Sequence, residues 1–390
     1  MQASIKWSLA ALLSTEFLVW SNIGMFQSSL PIHLLNEGFS EDRMGILFGV
    51  FMLSALLFRP LFAHIGKKNG QQCVLFIAVL IALAAPWFYY MASGFAAFMV
   101  ARIFHGLVPA SMMTAMSLLL IEACGEDRKS LAIGAFGIVY SLSKMVMPYV
   151  GVHLMLEYSV LVWLAVSSAY GMGAVFLFLA FIRPRVSDTN RWPETGARLP
   201  VSSIAAPLVV SVFFGIGAGA MLAFVSPYAV SIGFENPGVF FTMLALFMLV
   251  SQSFVSLFGD SIPQRFAVIL GLLLSVAGVL LLIAPPAPIW VIISGIPAGL
   301  GGGMIISMMT IYVTNCVSKE FRSTGVAYVT NSWEAGMVCG TMLLGGIITR
   351  WSYEALFMVI LITNVLSLLV AVAALREPSG EAKPETLETA

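Results

Sequence analysis

Five ionisable side chains, Glu16, Arg102, His105, Lys144 and Glu334, stand inside long apolar stretches of the sequence. A charged group at bilayer depth costs about 3 kcal/mol or more unless it faces a partner or a water-filled cavity. The carboxylates of Glu16 and Glu334 can take up and release protons, and a histidine titrates near neutral pH. A spacing of three sets Arg102 and His105 on one helical face. Lys144 is a cation able to hold an anionic group, four residues before Pro148. Together these types mark a path for a solute or for protons. Asn22, Gln27, Tyr140 and Asn331 add polar groups for binding, and Tyr228 and Tyr312 add aromatic surface for an amphipathic molecule. Amides at this depth also serve simply to join helices, so both uses stay open.

The elements that must position these groups are transmembrane helices. The chain of 390 residues is 59% hydrophobic and 10% charged, with a mean hydropathy of +0.97, where a soluble domain carries about 25% charged residues. Apolar runs of spanning length recur over 8–32, 44–63, 71–91, 94–121, 131–155, 159–182, 202–230, 239–258, 265–284, 288–314, 323–347 and 352–375. Alternation of period two is absent, which excludes a transmembrane barrel. The expected fold class is therefore an all-α membrane protein of twelve spans in two six-helix bundles, 1–182 and 201–375. A polar cytoplasmic linker, 183–200, lies between them, and a disordered cytoplasmic tail, 376–390, follows.

With both termini in the cytoplasm, 15 of the 19 basic residues fall on that side, Arg59 among them. The positive-inside rule then sets the orientation. Depth counting puts Glu16 in the cytoplasmic half of span one and Glu334 near mid-membrane.

Other classes find no support. Cys73, Cys124, Cys316 and Cys339 lack metal or disulfide spacing, so no metal or cofactor is expected. Gly301, Gly302 and Gly303 lack the lysine of a phosphate-binding loop. A formal net charge of +0 with no basic patch gives nucleic acid no footprint. No nucleophile and base share a defined depth, so an enzyme is not expected.

Three stretches carry a family resemblance. The loop after span two reads Arg59-Pro60-Leu61-Phe62-Ala63-His64-Ile65-Gly66-Lys67-Lys68, and span four holds Arg102-Ile103-Phe104-His105-Gly106. Span five contains Pro148 and Gly151. With the six-plus-six layout, these resemble the motifs of the major facilitator superfamily, most of all its bacterial proton-coupled exporters. Gly66, Lys67 and Lys68 fit the loop motif, whereas Arg59 stands at its first glycine and Ala63 replaces its acid. The loop after span eight retains Asp260 and Arg265.

The resemblance implies gating roles for Gly66, Lys67, Lys68, Asp260, Arg265 and Pro148. It also implies proton coupling at Arg102, beside His105, and the carboxylates of Glu16 and Glu334 are the candidate proton carriers that these two would modulate. Substrate contacts are expected at Asn22, Gln27, Arg102, Tyr140, Lys144, Tyr228, Tyr312, Asn331 and Glu334, with Lys144 and Glu334 supplying one contact for each sign of charge. The expected protein is a monomer in a bacterial inner or plasma membrane. It would export a small zwitterionic or anionic metabolite or drug against protons. An uptake symporter for an organic anion or zwitterion, a siderophore or metallophore exporter, and a non-transporting receptor or helper are the alternatives.

Overall fold

The computed structural model describes residues 2–124, 129–182, 201–318 and 321–376; side chains 2–8, 114, 129–133, 201–202, 260 and 323 lie outside that description. The linker 183–200 and the tail beyond Arg376 also fall outside it. Among the described residues, twelve long helices make up the fold. They are α1 (Gln2–Asn36), α2 (Glu41–Asn69), α3 (Gln71–Met91), α4 (Gly94–Cys124), α5 (Lys129–Glu157) and α6 (Val160–Phe181), then α7 (Ala205–Ser231), α8 (Gly238–Phe258), α9 (Gln264–Ile283), α10 (Pro288–Cys316), α11 (Arg322–Arg350) and α12 (Tyr353–Ala374).

Helix is the form these apolar runs must take, because lipid offers no partner for an open backbone group. Eleven of the helices are long and apolar enough to cross a membrane. The twelfth, α11, is as long but more polar, with Asn331, Ser332 and Glu334 in its first half. Proline sits inside seven helices, including Pro60 of α2, Pro109 of α4 and Pro148 of α5, each removing one backbone donor. Junctions are short. A single residue, Gly70 at φ 88°, separates α2 from α3, a backbone region that glycine enters without strain.

Packing repeats with a period of six helices. In the first half α1 packs on α5 and α6, α4 on α2 and α3, and α3 on α6; in the second, α7 packs on α11 and α12, α10 on α8 and α9, and α9 on α12. Glycines set the register. Gly215 and Gly219 of α7 lie against the backbones of Trp333 and Met337, while Gly336 and Gly340 of α11 lie against Val212 and Ile216. This reciprocal small-residue seam lets two backbones touch where no side chain would fit.

Two helix pairs join the halves, α2 with α11 and α5 with α8, and α1 meets α7 between them. The bundle has one face carrying the two chain ends, here called the terminal face, and an opposite face carrying the α1–α2 and α11–α12 junctions. The joints between halves gather toward the opposite face. Gly45 packs on the Thr341 backbone and Gly238 on that of Tyr149. Tyr353 donates to Glu41 Oε1 at 3.4 Å, Thr242 to Met145 O at 2.7 Å, and Ser28 bonds Ser226 at 2.8 Å. Toward the terminal face the same helices carry exposed residues, including Leu61, Ala63 and His64 of α2 and Ala327, Tyr328 and Asn331 of α11. The described joints between the halves thus concentrate toward the opposite face.

Candidate functional site

A cavity of about 280 Å³ lies between the halves, near the low end of the roughly 300–1,000 Å³ typical of small-molecule sites. Its wall is mostly apolar, with methionines from both halves, Met52, Met113, Met221, Met248 and Met337. Such thioether side chains adapt to varied apolar shapes. Three charged residues interrupt that wall, Arg59, Lys144 and Glu334.

Arg59 of α2 and Glu334 of α11 form an ion pair of 2.6 Å across the halves. Lys144 of α5 is held differently. Its Nζ lies 6.0 Å from the Trp20 ring centre and 5.9 Å from that of Tyr140, and these two rings meet edge to face at 4.7 Å. A cation over aromatic faces gains electrostatic stabilisation without a counter-ion. Among the described residues no carboxylate reaches Lys144 at ion-pair distance. Lys144 and Glu334 thus both line the cavity, and Arg59 is the ion-pair partner of Glu334.

Arg102 and His105 line a small adjoining pocket that shares Ile23, Gln27, Phe51 and Met52 with the cavity wall. The Arg102 guanidinium lies 4.5 Å from the Phe48 centroid and 4.3 Å from that of Phe51. Its Nε donates to Leu47 O at 3.0 Å and Nη1 to the Tyr89 hydroxyl at 3.5 Å. That hydroxyl stands 3.2 Å from His105 Nδ1. Arginine only donates, so the Tyr89 proton is free to go to Nδ1, leaving the histidine proton on Nε2. Nε2 is buried with no partner. Arg102 is thus a fully packed neighbour of the cavity and not part of its wall, which differs from the substrate contact expected for it.

Glu16 is fully buried, and neither carboxyl oxygen has a hydrogen-bond partner. It falls on the stripe of α1 that continues through Trp20, Ile23 and Gln27, which do line the cavity. An ionised carboxylate so placed would be very costly, and the neutral acid much less so.

Several expected binding residues lie elsewhere. The Asn22 amide joins α1 to Ala82 O of α3 at 3.0 Å and Ser167 O of α6 at 2.8 Å, the helix-joining use of a buried amide. Tyr228 reaches Leu282 O at 3.4 Å and packs on Phe357. The Tyr312 hydroxyl donates to Arg376 O at 2.8 Å and accepts from its N–H at 3.1 Å, fixing the chain after α12. Asn331 is exposed beyond the cavity wall. Gln27 and Tyr140 line the cavity, and Gln27 Nε2 also donates across the halves to Leu222 O at 3.3 Å.

Of the residues expected to gate, Pro148 is on the cavity wall. Gly66 packs against the Gln71 side chain where a Cβ would stand 2.6 Å from its amide nitrogen. Lys67 and Lys68 are exposed on the terminal face. Arg265 donates to Val372 O at 2.6 Å, tying α9 to α12. Asp260 lies in the turn Gly259–Ser261, and its side chain is outside the described residues.

Arg59 is the cavity residue that sequence reasoning misplaces. The apolar run of span two ends at residue 63, which puts Arg59 among the face cations. The helix instead runs to Asn69, which leaves Arg59 about 15 Å inside.

Two six-helix halves around a central cavity define a secondary transporter. The family model of the Major Facilitator Superfamily matches residues 12–244 and 208–390. The chain belongs to that superfamily and is a transport protein. Among curated relatives, the staphylopine export protein of Staphylococcus aureus is 23% identical over 395 residues, covering 95% of this chain and 97% of that one. The quinolone resistance protein NorA of the same organism is 20% identical over 246 residues, 59% of this chain and 63% of NorA. Among solved structures, a point mutant of the nucleoside transporter NupG aligns with a TM-score of 0.82 at 11% identity, covering 95% of this chain and all of that one. A bacterial homologue of the human lysosomal transporter Spinster aligns at 0.78 and 14% identity, covering 94% and 95%. These structural likenesses establish the shared fold.

Proposed function

We propose that this protein exports a small amphipathic anion or zwitterion in exchange for protons, by alternating access between its two six-helix halves. The observation that carries the reading is the cavity itself: apolar and methionine-rich, drawn from both halves, with the Lys144 ammonium set between aromatic rings and no described acid beside it. A cation of this kind favours a ligand with an anionic group, because its binding removes an uncompensated charge. Glu16 is the proton site in this reading, since its orphaned carboxyl suits a bound proton. With the termini cytoplasmic, as the basic residues favour, the terminal face is the inner one, from which an exported molecule would load. The protein works as a monomer in the bacterial inner membrane.

Export as the direction draws on the two relatives, one a staphylopine exporter and one a quinolone resistance protein. The near full-length match to the first favours a second reading, export of a metal-binding metabolite, which also presents several charged groups. The test is counterflow in proteoliposomes across anions, zwitterions and cations, with and without an imposed pH gradient. Export coupled to protons requires anion or zwitterion uptake into inverted vesicles that are acid inside. Transport indifferent to every pH gradient overturns the coupling, and preference for simple cations overturns the substrate class.

A further inference from the structure

The Arg59–Glu334 pair crosses the cavity from one half to the other, with its partners 24% and 19% exposed. It is therefore neither sealed in the core nor free in water. The same two helices present Met52, Ala55, Trp333 and Met337 to the cavity, so the charges have apolar neighbours. Among the described residues each is the only ion-pair partner of the other. Arg59 Nε is buried without an acceptor, which leaves one fork of the guanidinium unused. A guanidinium with spare donors matches a carboxylate, and a carboxylate matches an ammonium.

We infer that this ion pair stands in for the charged head of the cargo, and that a molecule carrying both a carboxylate and an ammonium displaces it, the carboxylate on Arg59 and the ammonium on Glu334. The inference rests on the cavity being the substrate site. Its logic is charge balance. Exchanging an internal pair for two pairs with a zwitterion strands no charge in the apolar wall. A simple cation that takes Glu334 strands Arg59, and a simple anion that takes Arg59 strands Glu334. The anion keeps a second option at Lys144, so the expected order is zwitterion, then anion, then cation. Because the two partners belong to different halves, the cargo that replaces the pair also bridges the halves. Arg59 is on this account a specificity-determining residue.

The experiment compares three probes that share one aromatic body and differ in charge: L-phenylalanine, 3-phenylpropanoate and 2-phenylethylammonium. Their binding to the full-length protein in nanodiscs is measured by titration calorimetry. The native protein binds phenylalanine most tightly. Arg59→Met raises the affinity ratio of phenylethylammonium to phenylpropanoate about tenfold, and Glu334→Met lowers it by about the same factor. The double variant, which strands neither charge, binds phenylalanine no better than phenylpropanoate and decides the matter if a single variant does not fold. A common change in all three affinities, or a phenylalanine preference kept by the double variant, overturns the inference and leaves the pair as a strut. No binding of any probe to the native protein overturns the amphipathic-anion reading of the cavity itself, and this inference with it.

Discussion

The hydroxyl of Tyr89 joins two residues of α4 that have no direct bond to each other: it accepts from Arg102 and lies 3.2 Å from Nδ1 of His105. The relay is fully buried, so its groups cannot turn to water when one is removed. Replacing Tyr89→Phe keeps the ring against Phe26 and Phe98 and deletes only the oxygen. The loss of a partner for both Arg102 and His105 should cost about 1–3 kcal/mol. Thermal unfolding of the purified protein checks this, and an unchanged midpoint would show that the hydroxyl carries no structural weight.

Lys144→Met preserves length and removes the ammonium between Trp20 and Tyr140. Affinity for anionic substrates should fall about tenfold, in line with a lost charge-assisted contact of roughly 1.5 kcal/mol or more. Cation binding should hold or improve. Anion and cation competition in counterflow reads the ratio, and equal ratios in variant and native protein would remove Lys144 from substrate selection.

Glu16→Gln replaces the carboxyl with a neutral amide of nearly the same shape. Substrate counterflow should continue while a pH gradient no longer drives accumulation. The sign follows from the site: a carboxyl with no described partner is neutral when loaded, and an amide mimics that loaded form at every pH. Gradient-driven accumulation surviving in the variant would move the proton site elsewhere.

Two glycines separate gating from stability. A side chain at Gly45 would meet the Thr341 backbone between the halves, whereas one at Gly219 would meet the Met337 backbone inside the second half. Gly45→Val should therefore part α2 from α11 at the opposite face. Spin labels at Arg43 and Arg350 would report a longer distance, with the fold retained. Gly219→Val should instead lower stability by about 1–3 kcal/mol, as overpacking does. A lengthened distance in the second variant alone would reverse the assignment.

Eleven of the twelve helices are legible from hydropathy, and the six-plus-six division from the polar linker, because lipid imposes long apolar helices. Glu334 and Lys144 are legible for the same reason, as charges too costly to sit in lipid. Their partners are not. The pairing of Arg59 with Glu334 depends on how far α2 extends beyond the bilayer-length run, and on α11 of the other half lying beside it. The separate fates of Asn22 and Gln27 turn on helix rotation: five residues along α1 is about 500°, which carries one amide into the α3–α6 seam and the other to the cavity. Tyr228 and Tyr312 suit an amphipathic ligand by their chemistry, yet both lie where their helices meet neighbours in the same half.

The polarity of α11 also bears on how the chain enters the bilayer during synthesis. A segment carrying Asn331 and Glu334 partitions poorly into lipid by itself, whereas α12, two residues beyond it, is strongly apolar. Insertion of the two as one hairpin would let the apolar α12 offset the polarity of α11. Arg59 is by then already in the membrane within α2, an awaiting counter-ion for Glu334. The charge that makes α11 costly in lipid is thus offset only where the two halves meet.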